Sequence, residues 1–457
     1  MAGTGHPSNG ISALWNARSL AVVGASDRPG SIGGTVLDHL QHAGFSGSVY
    51  PVHPHATSVR GIPAFRTVTD IGRPVELALL VIPATAVEAA VVDCVAAGVS
   101  AVIVTASGFA DNGDTASEER IAHVLADAGV RLLGPNCIGA ANLHSGLIAS
   151  FSPMFTGFNH SRPGGLSVVS HSGGIGFGIA SLAAERGLRP GWVVTTGNEA
   201  DICAGEAMCA TASLPECTGV VAYLESVPDA KWLTKIADIG KPVTALLSGR
   251  SPEGAAAAVT RAHRPGDHSP QRLRDHGISV ATDIGRLLDE AAGFALPPMP
   301  GDAVAVVTTS GGAGILAADA VKRSRLRLAT LSEDSRQRLR AFLPAFATVT
   351  NPLDVTASVI AKPELLVESL HVLVEDDRSD AVLVSLCVLG RRQAEAAADV
   401  IIAAAADGGK PVVVSRTGAD SLSPDLRPRL ADAGIGVYGT PDAAVAALDA
   451  ARIRTRA

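Results

Sequence analysis

The sequence predicts an α/β fold of three doubly wound parallel-sheet domains, and three observations carry that prediction. A strand–turn–helix unit occurs three times, as SLAVVGASDRPGSIGGTVLDHL over residues 19–40, GLSVVSHSGGIGFGIASLAA over 165–184 and DAVAVVTTSGGAGILAADAVK over 302–322. Each is a short Val-rich strand, a Gly/Ser turn and a stretch with apolar residues at helical spacing. The remainder of each unit alternates unbroken apolar runs with helical stretches, as strands covered on both faces require. Aromatic residues make up only 4% while 48 Gly and 27 Pro accompany Ala-rich helices, which suits helices packed closely on sheets better than an all-β fold.

Taken in order, the first unit continues with the strands SVYPV, LALLVIP, AVIVTAS and VRLLGPN. The second continues with GWVVTTGN, GVVAYLES, PVTALLSG and ISVATD, and the third with LRLATLS, AVLVSLCVL, PVVVSR and IGVYG. The strand–helix–strand order points to open parallel sheets. Units two and three also close alike, GKPVTALLSGR against GKPVVVSRTGA and GISVATDIGRLLDEAA against GIGVYGTPDAAVAALDAA. Residues 152–165 and 295–302 are Pro/Gly-rich and non-periodic and read as linkers. The expected domains are therefore 1–150, 163–295 and 301–457, in line with the roughly 150 residues per domain that length alone suggests.

Composition narrows the partners. Apolar residues are 47% and charged ones 18%, with 37 Lys and Arg against 44 Asp and Glu for a net charge of −7. No run of Lys or Arg concentrates positive charge, so neither a nucleic-acid groove nor a polybasic membrane tail is expected. Six cysteines are scattered without a CxxC pair, which excludes a zinc ribbon or a disulfide scaffold and fits a reducing compartment. The amino-terminal residues lack a basic segment followed by an apolar stretch, and later apolar runs break early, so no signal peptide or membrane span is expected. A cytoplasmic protein acting on small molecules or proteins follows, with no metal assigned to this chain.

The Gly-rich turns carry the chemistry. The first, residues 24–33, follows a strand and opens a helix, where backbone N–H groups meet phosphate in open α/β sheets. It is longer than GxGxxG, and the second strand ends in YPVHPH rather than in the acidic residue that would hold an NAD ribose. Arg28, with His53 and His55 nearby, suits a nucleotide carrying extra phosphates; the other reading is a Rossmann-like turn without a ligand. The second turn, Ser170, His171, Ser172, Gly173 and Gly174, sets two hydroxyls, an imidazole and free N–H groups at a helix start and would bind a dianion. Read more plainly, Ser170 and Ser172 cap that helix.

Together VVGASDRPGSIG, YPVHP, VIPA, SGF (107–109), LLGPNCIG (132–139), the SxSGG turn, TGNEADI (196–202), YLES (223–226), GKPV and SGRSPEG (240–254), TTSGG and NPLDVT (351–356) resemble the nucleoside-diphosphate-forming acyl-CoA synthetases. The likeness is greatest to the α subunits of the ADP-forming acetate–CoA ligases, in the superfamily of succinyl-CoA synthetase. It runs collinearly over about residues 19–450. The resemblance implies a Rossmann-like CoA-binding domain followed by two flavodoxin-like domains. It places Gly24, Ser26, Arg28, Gly30, Ser31 and Gly33 on the adenine and phosphates of coenzyme A, with Val52, His53, Pro83, Ala84, Ser107 and Asn136 along its arm. Asn136 would lie near the thiol and the acyl carbonyl, and Ser170, Ser172, Gly173 and Gly174 would hold phosphate. Cys137 reads as a packing residue rather than a nucleophile.

The resemblance also implies a relay. Acyl-CoA and phosphate exchange to acyl phosphate and CoA, and the phosphoryl group then passes to a histidine that delivers it to ADP on an ATP-grasp domain. Counted from Ser248, the histidine position of the family is Arg261 here, and arginine cannot accept a phosphoryl group. The candidates to replace it are His263, two residues on, and His171, where the family usually has Gln; otherwise the relay is lost. The plainer readings are a solvated loop histidine for His263 and a neutral hydrogen-bond donor to phosphate for His171. The carboxylate that steadies the phosphorylated ring corresponds to Glu225. No ATP-grasp segment follows the third unit within these residues, so ATP or ADP with Mg is expected only through a partner chain. An ATP-grasp β subunit, a second copy of the chain, or both are the expected partners, with CoA and a carboxylic acid as substrates. The alternatives are a CoA- or acyl-CoA-binding protein without turnover and an acyltransferase without the ADP step.

Overall fold

A computed structural model describes residues 10–156, 163–254, 267–345, 347–355, 362 and 364–452. The first sheet is formed by five parallel strands, β1 (Ser19–Val23), β2 (Ser48–Val52), β5 (Leu77–Leu80), β6 (Ala101–Val104) and β7 (Arg131–Leu133), in the order β2-β1-β5-β6-β7. A small antiparallel ribbon of β3 (Ser58–Val59) and β4 (Ile62–Pro63) lies between β2 and β5 in the chain. Successive side chains of a strand face opposite ways. Leu20, Val22, Leu77, Leu79 and Ile103 therefore join one core with Val36, Leu37 and Leu40 of the helix Ile32–His42. Ala21, Ala78, Leu80, Val102 and Val104 join another with Val87 and Val91 of the helix Ala84–Ala96 and with Ile121 and Leu125 of Thr115–Asp127. Helices cover both faces, which is why these strands read as unbroken apolar runs.

The second sheet contains β8 (Gly139–Asn142), β9 (Leu147–Ser150), β10 (Leu166–Ser170), β11 (Pro190–Thr195), β12 (Gly219–Leu224), β13 (Val243–Leu247) and β14 (Ser279–Ala281), in the order β14-β13-β12-β10-β11-β8-β9. The strands β10 to β13 are parallel as expected. The pair β8 and β9 is a difference: it is an antiparallel hairpin laid against β11, formed by residues that the sequence reading leaves at the tail of the first unit. The Gly, Ala and Asn side chains of β8 carry little β-branched signal, and the pairing depends on backbone proximity. A Cβ at Gly139, whose φ is +110°, would lie 2.0 Å from the Ala149 carbonyl oxygen. Ala140 and Leu147 of the hairpin share the core that also holds Leu20 and Val22 of β1 and Val194, Val220 and Ala222 of the second sheet. The first two sheets thus lie in one compact unit, Met1–Val280.

The other compact unit, Ala281–Ala457, is formed around β15 (Ala303–Thr308), β16 (Arg327–Leu328), β17 (Leu353–Asp354), β18 (Ala381–Leu386), β19 (Val412–Arg416) and β20 (Gly436–Tyr438). Their order is β16-β15-β18-β19-β20, with β17 pairing beside β15, and all these pairs are parallel. Val307, Val382, Val384 and Val414 face one core with the helix Glu364–Glu375, whereas Val304, Val306, Leu383 and Val413 face another with the helices Gly311–Arg323 and Pro441–Arg452. The segment after β14 also packs here, since a Cβ at Gly293 would meet the Ala447 carbonyl oxygen at 2.1 Å. Among the described residues no helix is long and apolar enough to cross a membrane.

Candidate active site

The first cluster forms at the carboxyl end of the first sheet, where strand order turns from β2-β1 to β5 and an open α/β sheet leaves a crevice. Gly24 follows β1 with φ +94°, and a Cβ there would lie 2.6 Å from the Val81 carbonyl oxygen. Its N–H donates to the Val52 carbonyl (3.0 Å). Gly33 brings the helix start onto the turn, its would-be Cβ 2.4 Å from the Gly24 carbonyl oxygen. Ser31 caps that helix: its Oγ accepts from the Gly34 N–H (3.2 Å) and donates to the Ser26 carbonyl (2.7 Å). Ser26 Oγ in turn accepts from the Arg28 N–H (3.2 Å). These bonds shape the turn and leave Arg28, Pro29 and Gly30 in solvent.

The residues expected along the arm follow across the same edge. Pro83 precedes the helix Ala84–Ala96, and Gly108, next to Ser107, would bring a Cβ within 3.6 Å of Ala84. His53 is turned to local use, since its Nδ1 accepts from the N–H groups of His55 (3.1 Å) and Ala56 (2.9 Å). Arg60, which sequence reasoning passed over, reaches the turn from the β3–β4 ribbon and pairs with Asp38 (2.8 Å) and Asp27 (3.2 Å). Asn136 stands exposed after β7 with φ +59°, its N–H bonded to the Ala106 carbonyl (2.9 Å). Cys137 behind it is buried with its thiol pointing at the Val104 carbonyl (3.5 Å), and burial pushes its pKa up to about 12. A thiol held protonated in this way packs rather than attacks.

The second cluster lies at the carboxyl end of the second sheet. Ser170 ends β10 fully buried, and its Oγ closes a tight turn by donating to the Ser172 carbonyl (2.6 Å) and accepting the Ser172 N–H (3.1 Å). Thr308 and Ser310 repeat the same two bonds in the other compact unit, at 2.9 and 3.1 Å. Ser172 is the N-cap of the helix Gly173–Glu185 yet makes no side-chain bond to it. Gly173 is pressed against Ile138, where a Cβ would meet Cγ1 at 2.5 Å, whereas the space over Gly174 is open. The turn therefore keeps a hydroxyl and helix N–H groups for an anion, while the Ser170 hydroxyl is spent on shape.

His171 sits in this turn with its side chain 9% exposed and both ring nitrogens engaged. The Glu225 N–H points at Nδ1 (3.0 Å), and Nε2 faces Glu199 Oε1 (3.2 Å). Glu199 also accepts the Ala204 N–H (2.6 Å) at the start of the helix Ala204–Ala212, where the helix dipole favours a carboxylate. Burial opposes charge on both members, but their mutual attraction wins, raising His171 above the ordinary imidazole range with help from Glu225 and lowering Glu199. Full protonation of the ring also requires Nδ1 to give up the Glu225 N–H. Glu199 has no signal of its own within TGNEADI, because nothing in that stretch alone says which side chain turns toward the histidine.

Its neighbour Asn198 closes the gap to the first cluster. Asn136 Nδ2 donates to Asn198 Oδ1 (3.1 Å), and Asn198 Nδ2 donates to Asp111 (3.1 Å) and Glu118 (2.7 Å). Neither acidic residue had a sequence signal. His171, Glu225, Ser170, Ser172, Gly173, Gly174 and Asn136 thus gather around one junction of the first two sheets, with the first Gly-rich turn farther along the edge. Arg261 and His263 lie outside the described residues.

Known proteins share this fold. Residues 18–142 match a CoA binding domain, 163–294 a succinyl-CoA ligase like flavodoxin domain and 304–457 a ligase-CoA domain. The chain is 30% identical over 447 residues to the α subunit of acetate–CoA ligase [ADP-forming] II of Pyrococcus furiosus, covering 95% of each. It is 30% identical over 443 residues to acetate–CoA ligase [ADP-forming] I of Archaeoglobus fulgidus, but spans 62% of that longer protein. The dinucleotide-forming acetyl-coenzyme A synthetase 1 of Candidatus Korarchaeum cryptofilum, solved with phosphate and ADP, superposes with a TM-score of 0.88 at 26% identity, covering 98% of this chain and 97% of that one.

Proposed function

Because the chain belongs to the NDP-forming acyl-CoA synthetases, as a counterpart of the α subunits of ADP-forming acid–CoA ligases, we propose that it exchanges acyl-CoA and phosphate with acyl phosphate and CoA. In this reading a phosphate oxygen attacks the thioester carbonyl, the carbon–sulfur bond breaks, and CoA leaves as thiolate and takes up a proton. The turn of Gly24, Ser26, Arg28, Gly30, Ser31 and Gly33 holds the adenine and phosphates, where glycines allow close backbone approach. Val52, His53, Pro83, Ala84 and Ser107 line the arm.

The observation that carries the reading is the junction of Asn136 with the Ser170–Gly174 turn, tied together through residues 197–199. One N–H of the Asn136 amide is committed to Asn198, leaving the other for the acyl carbonyl, where charge grows in the transition state. Ser172 and the N–H groups of Gly173 and Gly174 bind the phosphate, and His171, its Nε2 staying on Glu199, adds positive charge beside it when protonated. With both nitrogens of His171 engaged and Arg261 at the usual histidine position, the phosphoryl relay falls to His263 or is absent. Where it runs, an ATP-grasp β chain supplies ADP and Mg. The low charge of this chain suits a broad interface with such a partner.

The test is release of free CoA thiol from acyl-CoA on adding phosphate, with labelled phosphate followed into protein. Phosphate-dependent release is expected. Release without protein label supports acyl exchange without the ADP step, the reading that Arg261 favours. Tight CoA binding with no release under any condition, including an added β chain, rejects exchange and leaves a binding protein.

A further inference from the structure

Residues Thr196 to Ala200 interleave two sets of backbone bonds. Thr196 N–H donates to the Ser170 carbonyl (2.9 Å) and Gly197 N–H to the His171 carbonyl (3.1 Å). Asn198 N–H then donates to the Pro135 carbonyl (2.9 Å) and Ala200 N–H to the Gly134 carbonyl (3.1 Å). One short turn is therefore bonded on one side to the phosphate turn and on the other to the Asn136 turn. The fit is close: Gly197 has φ +62°, and a Cβ would lie 2.2 Å from the Pro135 carbonyl oxygen and 2.6 Å from that of Asn136. Glu199 takes φ +58°, a left-handed conformation that a Glu adopts only when its surroundings hold it there. Its side chain is held by the Ala204 N–H and by His171, as described, and the adjacent Asn198 side chain runs between two carboxylates and Asn136.

We propose that Asn198 and Glu199 are positioning residues for the exchange reaction, Asn198 orienting the Asn136 amide and Glu199 orienting the His171 ring, so that one strained turn sets the acyl-carbonyl and phosphate groups in register. The proposal rests on the functional reading above and adds to it the residues that fix its geometry. Neither residue touches substrate in this scheme. Asn198, with Asp111 and Glu118 holding its amino group, can present only its oxygen to Asn136, which fixes the orientation of both amides. Glu199 holds Nε2 in both protonation states, and in the neutral ring the Glu225 N–H also holds Nδ1. Misplacement of a reacting group by about 1 Å costs on the order of a hundred-fold in rate.

The test uses Glu199→Gln and Asn198→Ala in the full chain, with CoA affinity, thermal unfolding, kcat and KM for thiol release, and the His171 titration followed by NMR. The Gln variant retains an oxygen that can accept from Nε2 and from the Ala204 N–H while removing the charge. The His171 midpoint is expected to fall by about one pH unit in Glu199→Gln, because a neighbouring carboxylate no longer favours the imidazolium. In Asn198→Ala that midpoint should stay in place. Both variants should lose roughly ten- to a hundred-fold in kcat with CoA affinity unchanged. An unmoved His171 midpoint in Glu199→Gln overturns the proposal. So does a loss of CoA affinity that parallels the loss of kcat, since the turn would then be supporting the fold alone. If the unaltered chain binds CoA but catalyses no exchange, the functional reading fails, while the two titrations still decide whether Glu199 governs the ring.

Discussion

At the scale of single residues, chemistry follows from what each polar atom is already bonded to. Two hydroxyls and a histidine in SHSGG look equivalent in sequence, yet Ser170 is consumed by its own turn, Ser172 is not, and His171 is bonded at both nitrogens. The His171–Glu199 pair makes stability depend on pH in a definite sense. A raised imidazole stabilises fully below its ordinary range, near pH 6.5, and less as pH climbs through the raised value; a lowered carboxylate stabilises fully above about pH 4.5 and less as pH falls through the lowered value. The stability advantage of the native chain over Glu199→Gln should therefore peak between those limits and shrink on either side, as urea unfolding across pH will show. Cys137, buried with its thiol raised to about 12, should resist iodoacetamide at pH 8 in the folded chain and react once unfolded, as read by peptide mass spectrometry. That Cys137 packs was legible in the sequence. The partner of His171 was not, because a side chain 28 positions on reaches it only through the second sheet.

At the scale of elements, the Gly-rich turns were readable because several of their glycines answer a backbone demand. Gly24 combines positive φ with a blocked Cβ, whereas Gly30 has positive φ (+73°) in open space. Gly24→Ala should cost about 3 kcal/mol, from strain and overpacking together, and Gly30→Ala about 1 kcal/mol from strain alone; denaturant titrations separate the two. Ser31→Ala removes both a cap and the bond to Ser26, and should cost about 1 kcal/mol and weaken CoA binding several-fold, with Ser31→Thr restoring most of the stability. The hairpin β8–β9 shows the limit of such reading. The small side chains of β8 carry no periodic signal, and its partners are β9 and, some 50 residues later, β11. The Asp111–Asn198–Glu118 cluster escaped for the same reason, its members lying in a short 3-10 turn, a loop and a helix far apart in the chain.

At the scale of the whole molecule, the three repeats appear as three mostly parallel sheets, and the turn bonds of Ser170 with Ser172 recur at Thr308 with Ser310. The two cores described for the second compact unit are built from residues within it, 292 onward. Residues 281–457 expressed alone should accordingly unfold in one cooperative transition by circular dichroism, and a non-cooperative melt would contradict a self-contained core. The sequence by itself determined the α/β class, the repeated strand–turn–helix units, the family and the two Gly-rich turns, because periodicity, glycine placement and motif order are local properties of the chain. Only the tertiary structure decided that the first two sheets share a core, that β8 and β9 pair with β11, and that Asn198 and Glu199 connect Asn136 to His171. Those outcomes depend on hydrogen bonds and burial between residues far apart in the chain, and such long-range partners are chosen by packing the elements together rather than by the pattern within any one of them.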